Sequence, residues 1–309
     1  MSLNSKNIAV ESLPYHPNQR ENLRVDPADI KLHFYTNDKT QSKILSTDSL
    51  NDLLQSNYYN HSVKNVFMLH GWAETYTPYG IITQAIFESG AQANVFEVDW
   101  TVVTEEFYPI NYALVVWKMP FVGSHLAGIV GGNVNGTVAQ IVGIEPVWLL
   151  FDVNDLDNVL DKTDAAVVHV AHTTNGFGPS PVSIGHANFY FNGGKEQPGC
   201  DFVGCSHLRA ILYYHESILS SGFKAVKCSS YEEYENGDCD GNGEVIFGGY
   251  PLDERIKMIL AENNVLEVVE TETKLEEITD EEKKKEHIKN ENRAKNLIIQ
   301  FVEDDHWKV

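Results

Sequence analysis

The chain has 309 residues, 42% of them hydrophobic and 22% charged, which is enough for one large or two medium domains with a buried core and too apolar for general disorder. Its 44 acidic against 23 basic side chains give a formal charge of -21, a surface that repels phosphate backbones, so no nucleic acid partner is expected. No run approaches the ~20 apolar residues of a membrane span, and Ala113 to Trp117 is cut off by Lys118 and Pro120, so no transmembrane segment is expected either.

Asp29 to Tyr35 alternates polar and apolar residues before a Thr36-Asn37-Asp38 turn, the pattern of a half-buried strand near a sheet edge. Asn65 to Leu69 is a nearly continuous apolar run stopped by His70-Gly71, and Ala93 to Val98 is another stopped by Asp99-Trp100. Apolar on both faces, these two read as central parallel strands. Between them, Ile81, Ile82, Ala85 and Ile86 fall at helical spacing within Tyr79 to Ser89, completing a βαβ unit. Further strands are predicted at Gln140 to Ile144, ending in Glu145-Pro146, and at Ala165 to Ala171, ending in His172. Polar residues at such strand ends are where open α/β sheets place their sites. From Leu266 onward the chain carries 13 acidic and 8 basic residues with no Gly or Pro, the composition of an exposed charged helix or solvated tail. No internal repeat is visible.

The four cysteines, Cys200, Cys205, Cys228 and Cys239, lie close together in the last third of the chain. An even, clustered count without two-residue zinc spacing reads as two disulfides. Nearest-neighbour pairing, Cys200 with Cys205 and Cys228 with Cys239, brackets two turn-rich loops. Disulfides imply an oxidising compartment, and sequons at Asn60 and Asn135 agree with a secretory route, although Met1 to Val10 lacks the features of a signal peptide. The expectation is an extracellular protein in a mature or truncated form.

Several segments in order resemble the pancreatic-lipase-like family of α/β-hydrolases: Val66 to Trp72, Val98-Asp99-Trp100, Gly143-Ile144-Glu145-Pro146, Leu160 to Ala165, Ile184 to Tyr190, Asn192-Gly193-Gly194, Gln197-Pro198-Gly199-Cys200, Cys205-Ser206-His207 and Gly249 to Asp253. The resemblance implies a mostly parallel central sheet with helices on both faces over residues 29–255, an N-terminal extension over 1–28 and an acidic helical extension over 256–309. It also implies a Ser nucleophile on a strand-to-helix turn, a His base, an acid that orients the imidazole and backbone N–H groups for the oxyanion. His207 matches the base position, in a loop pinned by Cys205, and Glu145 the acid position, where the family usually carries Asp. The two are expected within hydrogen-bond reach. Trp72 would offer a backbone N–H as an oxyanion donor or cap the site with its ring. His172 matches a family His near the site and is read as structural. Asp161 and Asp164 sit where some relatives bind calcium, with a loop-capping role favoured and no cofactor expected.

The nucleophile departs from the family pattern. Gly-x-Ser-x-Gly does not occur in these 309 residues, and Gly123-Ser124-His125-Leu126-Ala127-Gly128 resembles the family's helix just after the elbow, as though about thirty residues and one strand-helix unit were missing. Ser124 is then a helix start; the alternative makes Met119 to Gly123 a replacement strand and Ser124 a makeshift nucleophile, against which stand Pro120 and Leu126. Exon loss would leave the same gap. The short loops Cys200 to Cys205 and Asn175 to Ser183 resemble the phospholipase A1 branch. The reading is a lipase-family protein that binds lipid or phospholipid esters with little hydrolysis; the alternative is a non-catalytic lipid-binding or yolk-type storage protein. Oligomeric state is not legible.

Overall fold

The computed structural model describes residues 25–36, 38–46, 49–72, 80–105, 115–116, 118–119, 122, 138–147, 159–161, 164–165, 167–176, 184–220, 222–250 and 306–308. Their strands form two sheets. In the first, β1 (Lys31–Thr36) and β2 (Asp38–Ser46) make an antiparallel hairpin. β3 (Lys64–Leu69) and β4 (Ala93–Asp99) pair in parallel through α2 (Gly80–Glu88), which confirms the βαβ reading, and α1 (Leu50–Leu54) follows the hairpin. The order is β2-β1-β4-β3, with β1 antiparallel to β4.

The alternation of β4 builds two cores. Phe96, Val98 and Trp100 meet Ile30, Leu32 and Phe34 on one face, joined by Leu50 and Leu53 of α1 and Val103 of α3 (Thr101–Glu105). On the other, Ala93 and Val95 meet Ile82, Ala85 and Ile86 of α2. Each such fully buried aliphatic or aromatic side chain contributes roughly 1.5–3 kcal/mol of transfer free energy. β1 is more buried than its sequence suggested: Leu32 to Tyr35 are all buried, because Leu32 and Phe34 pack into one core, Tyr35 into the other, and the His33 ring lies 3.5 Å from Asp99.

In the second sheet β5 (Gln140–Ile144), β6 (Val167–His172) and β7 (Ala187–Tyr190) are parallel, and β8 (Phe223–Lys227) and β9 (Glu244–Phe247) are antiparallel. β6 extends one residue beyond the expected end to include His172. The order is β5-β6-β7-β10-β8-β9, with β10 (His306–Lys308) parallel to β7 and antiparallel to β8. Of the expected helical extension over 256–309, residues 306–308 alone are described, and they are this strand. α4 (Val203–Ser220) lays Ile211 and Ile218 against the α2 core, linking the two sheets. Phe247 meets Phe191 edge to face and Phe189 at a tilt, with ring centroids about 5 Å apart, and Tyr213 stacks on Phe191.

Both expected disulfides are present, Cys200–Cys205 and Cys228–Cys239, with Cα atoms 5.4 and 5.7 Å apart. The first closes the turn into α4; the second ties the end of β8 to the loop after α5 (Tyr231–Glu235), whose N-cap is Ser230. Among the described residues the first sheet ends at β3 and the second at β5, both flanked by more buried neighbours, β4 and β6. No helix among the described residues is long and apolar enough to cross a membrane.

Candidate functional site

The turn after β3 is fixed by His70. Its ring stacks on Trp100 at 5.5 Å, and the Trp100 indole N–H donates to the His70 carbonyl at 2.9 Å. The Trp100 backbone N–H donates to His70 Nε2 at 3.3 Å. A backbone N–H can only donate, so Nε2 is bare and the ring proton sits on Nδ1, donating to the Gly71 carbonyl at 3.0 Å. The ends of β3 and β4 are thereby locked together, and the half-buried Trp72 side chain packs against the core of Leu32, Phe34 and Phe96. Its ring is thus an anchor for the turn that carries its backbone N–H.

Glu145 follows β5 directly. It is 6% exposed and its φ is 49°, in the left-handed region that side chains other than Gly and Asn rarely occupy, at a cost of order 1–3 kcal/mol. Its backbone N–H donates to Ala171 O at 2.9 Å, continuing the β5–β6 register past Ile144. One carboxylate oxygen, Oε2, accepts from the Thr173 N–H, from the Thr173 hydroxyl at 2.8 Å and from the Thr174 N–H at 3.0 Å. Burial outweighs these three donors and pushes the carboxyl up to about 7. Among the described residues the donors to this carboxylate are Thr173 and Thr174, and His207 is not one of them.

His207 is helical. The sequence reading placed it in a loop because Cys205 flanks it, but α4 starts at Val203, and Ala210, Ile211, Ser217 and Ile218 are buried at helical spacing. His207 therefore rides on the first turns of a helix whose N-terminus the Cys200–Cys205 bridge closes.

Gln197, 2% exposed, contacts both Thr173, which clamps Glu145, and Ser206, which precedes His207. Its side-chain N–H groups reach three carbonyls, Thr173 at 2.8 Å, Phe191 at 2.8 Å and Lys195 at 3.0 Å. Its Oε1 accepts from Asn192 at 2.7 Å and Tyr213 at 3.0 Å, and its backbone N–H donates to Ser206 Oγ at 2.9 Å. Neither Gln197 nor Thr173 was singled out from the sequence, although Gln197 opens the Gln-Pro-Gly-Cys motif and Thr173 follows His172.

His172 stacks on Tyr190 at 4.6 Å, and its Nε2 lies 3.3 Å from Asn188 Oδ1, consistent with a structural part. Asp164 Oδ2 accepts the Asp161 backbone N–H at 2.8 Å and closes the loop, and no group of three or more His, Cys, Asp or Glu is arranged for a metal among the described residues. Ser124 lies outside the described residues. Of the possible replacement strand, Met119 and Val122 are described, and their backbone is helical, with Val122 buried beside Trp100 and Val115.

Residues 121–244 match the family model described as Lipase. The chain is 29% identical over 260 residues to pancreatic lipase-related protein 2 of Cavia porcellus, covering 71% of this chain and 59% of that protein. It is 30% identical over 264 residues to pancreatic triacylglycerol lipase of Oryctolagus cuniculus (72% and 54%) and 30% identical over 237 residues to lipoprotein lipase of Homo sapiens (59% and 50%). The chain belongs to the pancreatic-lipase-like family. It spans between about half and three-fifths of the length of these relatives. Membership of the pancreatic-lipase-like family carries the α/β-hydrolase fold with it, in keeping with the parallel strands β3–β4 and β5–β6–β7.

Proposed function

We propose that this chain binds lipid or phospholipid esters in the phospholipase A1 manner, outside the cell, and hydrolyses them slowly if at all. The observation that carries the reading is the helical backbone at Val122, immediately before Gly123-Ser124, where a nucleophile elbow needs the end of a strand. The absence of Gly-x-Ser-x-Gly from the sequence supports it, as do the two parallel sheet edges at β3 and β5, between which one further parallel strand would make the sheet continuous. In this reading one strand-helix unit is missing and Ser124 is no nucleophile.

His207 is the base, Glu145 the orienting acid through its second oxygen, Oε1, and the Trp72 N–H an oxyanion donor. Without an activated hydroxyl these groups have no tetrahedral intermediate to act on. Glu145 adds a second brake: with its carboxyl near 7 it is half protonated at neutral pH and stabilises an imidazolium poorly. The Cys200–Cys205 loop spans only five positions, which leaves the site open to an amphiphile lying in an interface. A carrier or yolk-type storage role needs lipid binding without turnover, and the helical Val122 favours it over catalysis.

The test incubates purified full-length chain with phosphatidylcholine vesicles and measures co-sedimentation and fatty-acid release, for wild type and Ser124→Ala. Binding without release in both is expected. Robust release abolished by Ser124→Ala would make Ser124 the nucleophile and overturn the reading.

A further inference from the structure

We infer that Gln197 is a positioning residue that fixes the helix turn carrying His207 against the strand end that holds Glu145. The inference rests on the acid and base assignments above and names the part that keeps them in register. Thr173, just past β6, uses its N–H and hydroxyl on Glu145 Oε2 and turns its carbonyl to Gln197 Nε2. From Gln197 the backbone N–H continues to Ser206 Oγ, the residue before His207, and Oε1 to the Tyr213 hydroxyl further along α4. Direct hydrogen bonds thus run through buried groups from Glu145 to Thr173 to Gln197 to Ser206, the residue before His207, with a branch to the half-buried Tyr213.

The chemistry of the side chain is specific to an amide. Three carbonyl oxygens surround Nε2, so this position needs two N–H donors; two donors face Oε1, so it also needs an acceptor on the same planar group. Glu would present an acceptor to the carbonyls, and Met would fill the volume and bond to nothing. Thr173 and Ser206 are fully buried, so water does not replace a lost partner. A residue that only filled space would be replaceable by Met; one that positions both loops would not.

The experiment uses full-length, isotope-labelled protein and follows two signals on different elements, the Thr173 backbone amide and the His207 ring, with His207→Gln for assignment. Gln197→Ala and Gln197→Met are both expected to move the Thr173 amide upfield, to lower its exchange protection roughly tenfold or more, and to shift the His207 titration midpoint, with first-sheet amides unmoved. Tyr213→Phe removes one hydroxyl from α4, touches Thr173 only through Gln197, and serves if the Gln197 variants fold poorly; it is expected to move the Thr173 amide in the same direction by less. Wild-type signals at both sites in Gln197→Met, or an unmoved Thr173 amide in Tyr213→Phe, would overturn the inference. The underlying acid–base assignment fails separately, if His207→Gln leaves the Glu145 titration midpoint where it was.

Discussion

Glu145→Gln should remove a pH-dependent loss of stability that the wild type carries. The carboxyl titrates at about 7 in the fold, against an ordinary value of 4.5. Between those values the native state holds a proton that the unfolded state has released, so stability falls as pH rises through this window, by about 1.4 kcal/mol per pH unit, and is level above about 7. The whole step is about 3 kcal/mol. Gln keeps an acceptor for the Thr173 and Thr174 donors and has no charge to desolvate. Urea unfolding of both proteins at pH 5 and pH 8, with disulfides intact, reads the difference. Near pH 5 the two should lie within about 1 kcal/mol of each other; at pH 8 the variant should be more stable by about 3 kcal/mol, a midpoint higher by about 1 M for an m-value near 3 kcal/mol/M. Other titrating groups, Asp164 among them, cancel in the comparison. A difference that does not change with pH would refute the claim that burial outweighs the three hydrogen bonds at this carboxylate.

Thr173→Val deletes the hydroxyl donor and keeps the backbone one, so it should cost about 1–2 kcal/mol and drive the Glu145 midpoint above about 7, as carboxyl NMR titration would record. His70→Phe preserves a ring against Trp100 but leaves that residue's backbone N–H without its acceptor; a loss of about 1–3 kcal/mol in urea is expected, and no loss would mean that packing alone holds the turn. Replacing Cys228 and Cys239 together by Ser should lower stability by roughly 2–3 kcal/mol, the loop-closure entropy of an eleven-residue separation, seen as a lower thermal midpoint.

β3 and β4 were legible because both are nearly continuous apolar runs; β4 is buried on both faces as a central strand should be, whereas β3, expected to be central, ends its sheet among the described residues and is only half-buried. β1 misled because its alternation belongs to a strand with one wet face, whereas both faces here are covered and His33 finds Asp99. The position of Glu145 was readable from its motif, but its clamp was not: Thr173 is 28 residues away and reaches the carboxylate because Ile144 pairs with Ala171 in a parallel register. His207 was read as a loop residue from a local cue, the neighbouring cysteine, while the helical spacing of buried residues lies downstream of it. Gln197 stood inside a recognised motif, and three of its five side-chain partners, Phe191, Asn192 and Lys195, are near neighbours in the chain, but Thr173 and Tyr213 come from other elements and meet it only in three dimensions.

Whether an activated serine exists decides the functional account. A fluorophosphonate forms a bond from phosphorus to a nucleophilic serine oxygen and expels fluoride, so intact-protein and peptide mass spectrometry after incubation reports any such residue. The account predicts an unchanged mass for the full-length protein at neutral pH, under conditions where a catalytically competent serine hydrolase is labelled to completion. A stoichiometric adduct on Ser124, lost in Glu145→Gln and His207→Gln, would contradict it and establish a working triad.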